Sequence, residues 1–300
     1  MQKSHSTRKI VVGVDFSEGS SRALLEAGRI AWEEHSTIHA VHIIDEALLS
    51  DLKEYSHLDE REMLSSIEER LKVFCQEAGL VGKSLSRVVQ IGHPVKAFSS
   101  LCDEIDPDLL VLGAWCRYRE DSEVMGVTAR QILQESKSDV LLMRDREDNR
   151  MNRVVACVDF SEYDKAVVSV AEAVCRADRA RLDILHVFYP PWLSEISPDG
   201  ENREAFEDRE REYRALLQGR LDKLVPGSQK LEDAIETETV VKESARHCEG
   251  ILGYIRKSGA DLAVIGARGR SRIESMILGR IAERIVMNSG SSVYVVKNPY

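Results

Sequence analysis

The chain predicts an α/β protein of two tandem doubly wound domains, each a five-stranded parallel sheet flanked by helices. Three observations predict it. Apolar runs suited to strands alternate with amphipathic helical stretches along all 300 residues. The pentapeptide VDFSE stands at 14–18 and again at 158–162, an offset of 144. DLLVLGA at 108–114 recurs as DLAVIGA at 261–267, and DVLLM at 139–143 as SVYVV at 292–296, both at an offset of 153. Repetition on that scale divides the chain into units 1–145 and 153–300, joined by the polar linker 146–152. The longer second offset assigns the surplus of the second unit to the polar stretch PPWLSEISPDGENRE, 190–204.

In the first unit KIVVGV is a continuous apolar run, as a strand covered on both faces requires. Asp15, Phe16 and Ser17 turn the chain, with Ser17 placed to cap the helix that follows. Ala23, Ala27, Ile30 and Ala31 give that helix an apolar face. TIHAVHII is the second strand, and a charged helix is expected over 49–78. SRVVQI is the third strand, with a turn at 92–94 and a helix through Leu101. LLVLGA and DVLLM are the fourth and fifth strands, separated by a loop, YREDSEV, and a helix near 127–135. The second unit repeats this order, its charged helix falling near 205–224. Ligands of such sheets bind beyond the carboxyl ends of the strands, where strand order reverses. Residues just after strands one, two and four are therefore the candidates.

Composition narrows the function classes. With 43% hydrophobic and 31% charged residues, the chain has the makings of a sizeable core. A net charge of -10 and a pI near 5.4 argue against a nucleic-acid partner. No apolar run reaches membrane-spanning length, and MQKSHSTRK lacks the apolar core of a signal peptide, so a cytoplasmic location without membrane attachment is expected. Six cysteines, at 75, 102, 116, 157, 175 and 248, form no CxxC pair and read as small hydrophobes of a reduced compartment. The charge is uneven. Residues 1–150 hold 19 basic and 27 acidic residues, net -8, and residues 151–300 hold 22 and 24, net -2.

The difference concentrates after the fourth strand of the second unit, in GARGRSRIESMILGRIAERIV. Gly266, Gly269 and Gly279 stand in a G-x2-G-x9-G arrangement. Gly266 and Gly269 allow backbone conformations closed to other residues and the close approach of a ligand. Gly279 opens a helix whose N-terminal N–H groups attract anions. Five arginines, 268, 270, 272, 280 and 284, face Glu274 and Glu283, a local net of +3. A solvated basic loop would show the same composition, so spacing alone leaves both readings open. In the first unit Gly113 is kept, Cys116 replaces the second glycine, and over 113–131 three arginines meet three acids.

The V-D-x-S openings (Val14, Asp15, Ser17 and Val158, Asp159, Ser161), the H-V second strand and D-L-x-V-x-G before the glycine turn resemble the universal stress protein family. The resemblance spans nearly the whole chain in a tandem form. It implies a Rossmann-like, adenine nucleotide alpha hydrolase-like fold and a stress-response, regulatory role. It also implies an ATP or other adenine-nucleotide site, with Mg as the accompanying ion. Carried over, Cys157, Asp159 and Val187 would meet the base, and Gly266, Gly269 and Gly279 the ribose and phosphates. Arg280 stands where the family motif has Ser or Thr; it either pairs with phosphate or fills the pocket. The degenerate first unit is expected not to bind nucleotide, or to bind it weakly. The alternative is an interaction module acting through protein partners, with no nucleotide. The family habit of pairing last strands further implies intramolecular pairing of DVLLM with SVYVV, besides association of whole chains.

Other residues favour structural roles. His42 and His186, within apolar strands, are expected to bond to backbone. His35 and His39 lack a metal-binding context. No Walker A motif, GxGxxG turn or G-x-S-x-G elbow occurs, and no base–nucleophile pair can be assembled, so an enzyme is not expected, with slow ATP hydrolysis left open as a third reading.

Overall fold

Lys9–Gly13 (β1) is buried through its centre, Val11 and Val12 having no exposed surface, as an unbroken β-branched run between two helical layers requires. The computed structural model describes residues 8–34, 36–49, 60–80, 84–119, 122–144, 150–190, 203–225, 235–269 and 278–299, and the chain divides into units 1–149 and 150–300. In the first unit β1 leads to α1 (Glu18–Glu34), β2 (Thr37–Asp45), α2 (Glu60–Glu77), β3 (Leu85–Gly92), α3 (Pro94–Ile105) and β4 (Leu109–Gly113). A hairpin, β5 (Trp115–Arg119) and β6 (Ser122–Met125), precedes α4 (Val127–Glu135) and β7 (Asp139–Met143). The parallel sheet runs β3-β2-β1-β4-β7.

The second unit repeats the plan with β8 (Arg153–Cys157), α5 (Asp164–Asp178), β9 (Arg181–Phe188), α6 (Arg203–Asp222), β10 (Thr237–Glu243), α7 (His247–Ser258), β11 (Leu262–Gly266), α8 (Arg280–Asn288) and β12 (Ser292–Val296). Its parallel sheet runs β10-β9-β8-β11-β12. β1, β4, β8 and β11 are apolar through their centres, while β3 and β10 keep exposed polar positions at Ser86, Arg87 and Glu238. The doubly wound class predicted from sequence is the one found. Strand order reverses between β1 and β4, and again between β8 and β11, so Asp15 and Asp159, each just beyond the first strand of its unit, stand at the two switch points.

One expectation is overturned. YREDSEV belongs to an antiparallel hairpin rather than an open loop, in register Trp115↔Met125, Cys116↔Val124 and Arg117↔Glu123. Trp115, Tyr118 and Val124 are strand formers, and the register sets a basic position across from an acidic one. The surplus assigned to 190–204 lies outside the described residues at 191–202, as does the linker at 146–149 and the first part of the helix expected over 49–78.

Candidate functional site

The crevice of the second unit is built from three chain turns. The first follows β8. Asp159 Oδ1 accepts the Ser161 N–H at 3.2 Å, the two-residue turn to which aspartate is suited. Between them Phe160 takes φ +61, a left-handed conformation unusual for an aromatic residue. Packing holds it there. The Phe160 ring lies 4.3 Å from His186, whose Nδ1 sits 2.9 Å from the Val158 carbonyl oxygen, and Arg220 of α6 covers the ring at 5.5 Å. The first unit repeats the stack with Phe16 at φ +65, His42 and Arg70, the last 4.1 Å above the ring. Both histidines thus hold backbone. Burial lowers the His42 pKa, so the neutral ring is favoured at neutral pH.

The second turn is the glycine loop. Neither Gly266 nor Gly269 has a positive φ, contrary to the expectation that unusual backbone conformations demand them. Close approach is what demands them. A Cβ on Gly266 would stand 2.9 Å from Tyr163 Cβ, and one on Gly269 only 2.7 Å from Asp159 Oδ2. The strand-one aspartate therefore rests on the second glycine of the loop. Between these glycines Arg268 has its Nε buried and without a hydrogen-bond partner among the described residues. Arg270, Arg272 and Glu274 lie outside the described residues.

The third turn starts α8. The Gly279 N–H donates to the Ala267 carbonyl at 2.7 Å, and a Cβ at Gly279 would meet that same oxygen at 3.2 Å. The start of α8 is thereby tied to the glycine loop, and helix geometry leaves the next N–H groups without intrahelical acceptors. Arg280, the first helical residue, is exposed.

The remaining predicted residues sit at the opposite rim. Cys157 ends β8, and burial pushes its thiol up to about 12, so it presents a neutral S–H rather than a thiolate. The Val187 side chain turns away, its Cγ1 packing where a Cβ on Gly250 would stand at 2.7 Å. Its backbone points the other way. The Leu185 carbonyl accepts from Val158 and the Phe188 carbonyl from Ser244, so odd-numbered peptide groups of β9 face β8 and even-numbered ones face β10. The β8–β9 register ends at Cys157↔Leu185, which aims the Val187 peptide past the end of β8, over the Asp159 turn. Thus Asp159, Gly266, Gly269 and Gly279 come together, Val187 contributes backbone alone, and Arg280 stands at the outer edge.

Asp164 and Tyr163 belong to this turn and were not predicted from sequence. Asp164 is buried, and burial raises its pKa from 3.8 to about 6 against the opposing effect of N–H groups donated by Asp159, Phe160 and Ser161; the Asp159 charge raises it further. The signal was present in the repeat. At an offset of 144 Tyr163 matches Gly19 and Asp164 matches Ser20.

Comparison with known proteins agrees with this architecture. The model of the universal stress protein family matches residues 6–144 and again 151–297. The universal stress protein YxiE of Bacillus subtilis is 23% identical over 153 residues, covering 49% of this chain and 99% of that protein. Among solved structures, a universal stress protein from Archaeoglobus fulgidus aligns with TM-score 0.66 and 20% identity, over 96% of this chain and 98% of that one. A functionally unknown protein from Pseudomonas aeruginosa aligns with TM-score 0.68 and 17% identity, over 98% and 94%. Two matches of one family model account for nearly every residue, and the chain belongs to the universal stress protein family, carrying two of its domains in tandem.

Proposed function

We propose that the protein is a cytoplasmic stress-response regulator whose second domain binds an adenine nucleotide and whose first domain does not. One observation carries this reading: the Asp159 carboxylate, the G-x2-G turn and the start of α8 are packed into one crevice by contacts that only glycine permits. In it, Asp159, the Val187 peptide and the Cys157 rim meet the base. Gly266 and Gly269 let the ribose approach the main chain, and Gly279 delivers the phosphates to the α8 N-terminus. The residues fit an anion, because the buried Arg268 Nε lacks an acceptor among the described residues. Exposed Arg280 serves as a phosphate clamp, since a side chain standing in solvent does not fill the pocket. Mg would enter on the nucleotide phosphates, for the described residues include no group of three ligating side chains that could hold a metal.

The first domain keeps the frame of the crevice without its opening. Gly126 donates to Ala114 at 2.9 Å as Gly279 does to Ala267, but the β5–β6 hairpin replaces the glycine turn, and exposed Val127 stands where Arg280 does. That surface suits a protein partner. Mass analysis of nucleotide retained by the purified protein tests the reading, together with Arg280→Ser, which is expected to weaken ATP binding. An affinity that rises in Arg280→Ser would mean that the arginine obstructs the site.

A further inference from the structure

We infer that Asp164 is the positioning residue of the second domain's crevice, holding the Asp159–Phe160–Ser161 turn in the form that faces a ligand. The inference rests on the proposed nucleotide site for its functional meaning, and on ligand-free geometry for its substance. Asp164 is the first residue of α5, 5% exposed, with its carboxylate folded back beneath the preceding turn. Oδ1 accepts the Asp159 N–H at 3.2 Å, while the Ser161 N–H is held by Asp159 Oδ1. The nearby N–H groups of Phe160 and Ser161 favour the charged form of the Asp164 carboxylate. Asp164 thus fixes the amide that enters the turn, Asp159 fixes the amide that leaves it, and the residue between them is at φ +61. Left-handed geometry at an aromatic residue persists only where its surroundings over-determine it. The Asp164 acceptor supplies this from below, and the His186–Phe160–Arg220 stack supplies it from above.

The first domain holds the same turn by other means. Ser20 replaces Asp164, its Oγ donating to the Ser17 carbonyl at 3.0 Å, while Ser17 Oγ donates to Asp15 at 2.5 Å. There the aspartate is bound by its own serine and is exposed. In the second domain the load shifts to Asp164, and Asp159 Oδ2 rests against Gly269. Only the second domain pairs the glycine turn with this arrangement.

A carboxylate accepts amide hydrogens more strongly than a carboxylic acid does. The amides oppose the upward effect of burial on the Asp164 pKa. With the side chain still buried, their hold therefore weakens as acid protonates it around pH 6, even though the domain as a whole gains stability by taking up that proton. Asp159 is the ionisable group whose charge acts on Asp164, and Arg220 is the cation packed over the Phe160 ring of the same turn.

Amide hydrogen exchange on the full chain at pH 5.0 and 7.5, corrected for intrinsic rates, tests this without ligand. In the native protein, protection of the Asp159 amide, which donates to Asp164, should be at least tenfold greater at pH 7.5. Asp164→Asn should bring protection at pH 7.5 down to the acid value and remove the pH response, while the amides of β8 and β11 stay at least as protected as in the native protein, as a check on folding. Equal protection in native protein and Asp164→Asn, or no change between the two pH values, would overturn the inference. Adenosine, which has no phosphate to titrate, is then the binding probe. Affinity should fall at least threefold from pH 7.5 to 5.0 in the native protein and stay flat in Asp164→Asn. Failure of adenosine and ATP to bind at any pH would remove the nucleotide reading, while the exchange data would still decide the role of Asp164.

Discussion

The segments 113–127 and 266–280 descend from one plan and close it differently. Both start with a glycine ending the fourth strand of their sheet, and both tie an alanine carbonyl to a glycine N–H at the next helix, at 2.9 and 2.7 Å. Beyond the first of those glycines the first domain folds a hairpin, while in the second the described residues 266–269 make a glycine turn resting on an aspartate. The first glycine differs as well. A Cβ on Gly113 would stand 2.3 Å from the Gly19 carbonyl carbon, backbone against backbone, whereas Gly266 abuts the Tyr163 side chain. The frame is a requirement of folding. The content of the turn is where the proposed difference in binding resides.

Substitution of that first glycine should break the comparison most strongly. Gly113→Ala drives a methyl into backbone that cannot withdraw, and is expected to destabilise the first domain by about 3 kcal/mol or more, read by denaturant unfolding. Gly266→Ala meets a side chain and should cost less. A similar loss in both domains would show that the contacts are equivalent.

Asp164 separates the domains by pH. Its folded pKa lies above the unfolded value, so the folded state binds an additional proton between about pH 4 and 6. Stability of the second domain from this group is therefore present in acid and is lost as pH rises through 6. A shift from 3.8 to about 6 corresponds to roughly 3 kcal/mol. Asp164→Asn should thus stabilise the second domain by up to that amount at pH 7.5 and hardly at all at pH 4, while loosening the turn. Greater stability with a looser turn is what a site maintained for function predicts. A destabilised Asp164→Asn at pH 7.5 would contradict it.

Much of this architecture was legible in the sequence. Unbroken runs such as VVAC and LAVI announce buried parallel strands, and VDFSE recurring at fixed offset announces the repeat. The strand-end rule located Asp159 and Gly266 without coordinates. What escaped was conformational. Nothing in the letters of VDFSE marks Phe160 as left-handed, because its φ is set by His186 and Arg220, which arrive from 26 and 60 residues away. The reason for Gly269 was likewise invisible, being the position of an aspartate oxygen rather than a dihedral angle. The hairpin was obscured by its charges, which concealed the strand-forming residues between them.

Smaller effects sharpen the functional half of the comparison. Gly269→Ala places a methyl on the Asp159 carboxylate and should weaken ATP binding about tenfold, near 1.4 kcal/mol, with little change in stability. Arg280→Ser, at an exposed position, should cost about three- to fivefold, consistent with a partly solvated phosphate contact. Exchanging Val127 for Arg in the first domain should add no affinity, because that domain has a hairpin strand and Cys116 where the second has the second glycine of its turn.

Calorimetric titration of the full chain with ATP and Mg tests the central claim most directly, through its stoichiometry. One nucleotide per chain is predicted, with binding lost in a Gly269→Ala, Asp159→Asn double variant and retained when Asp15 is changed to Asn. Two nucleotides per chain, none at millimolar concentration, or binding that survives the double variant would contradict the account.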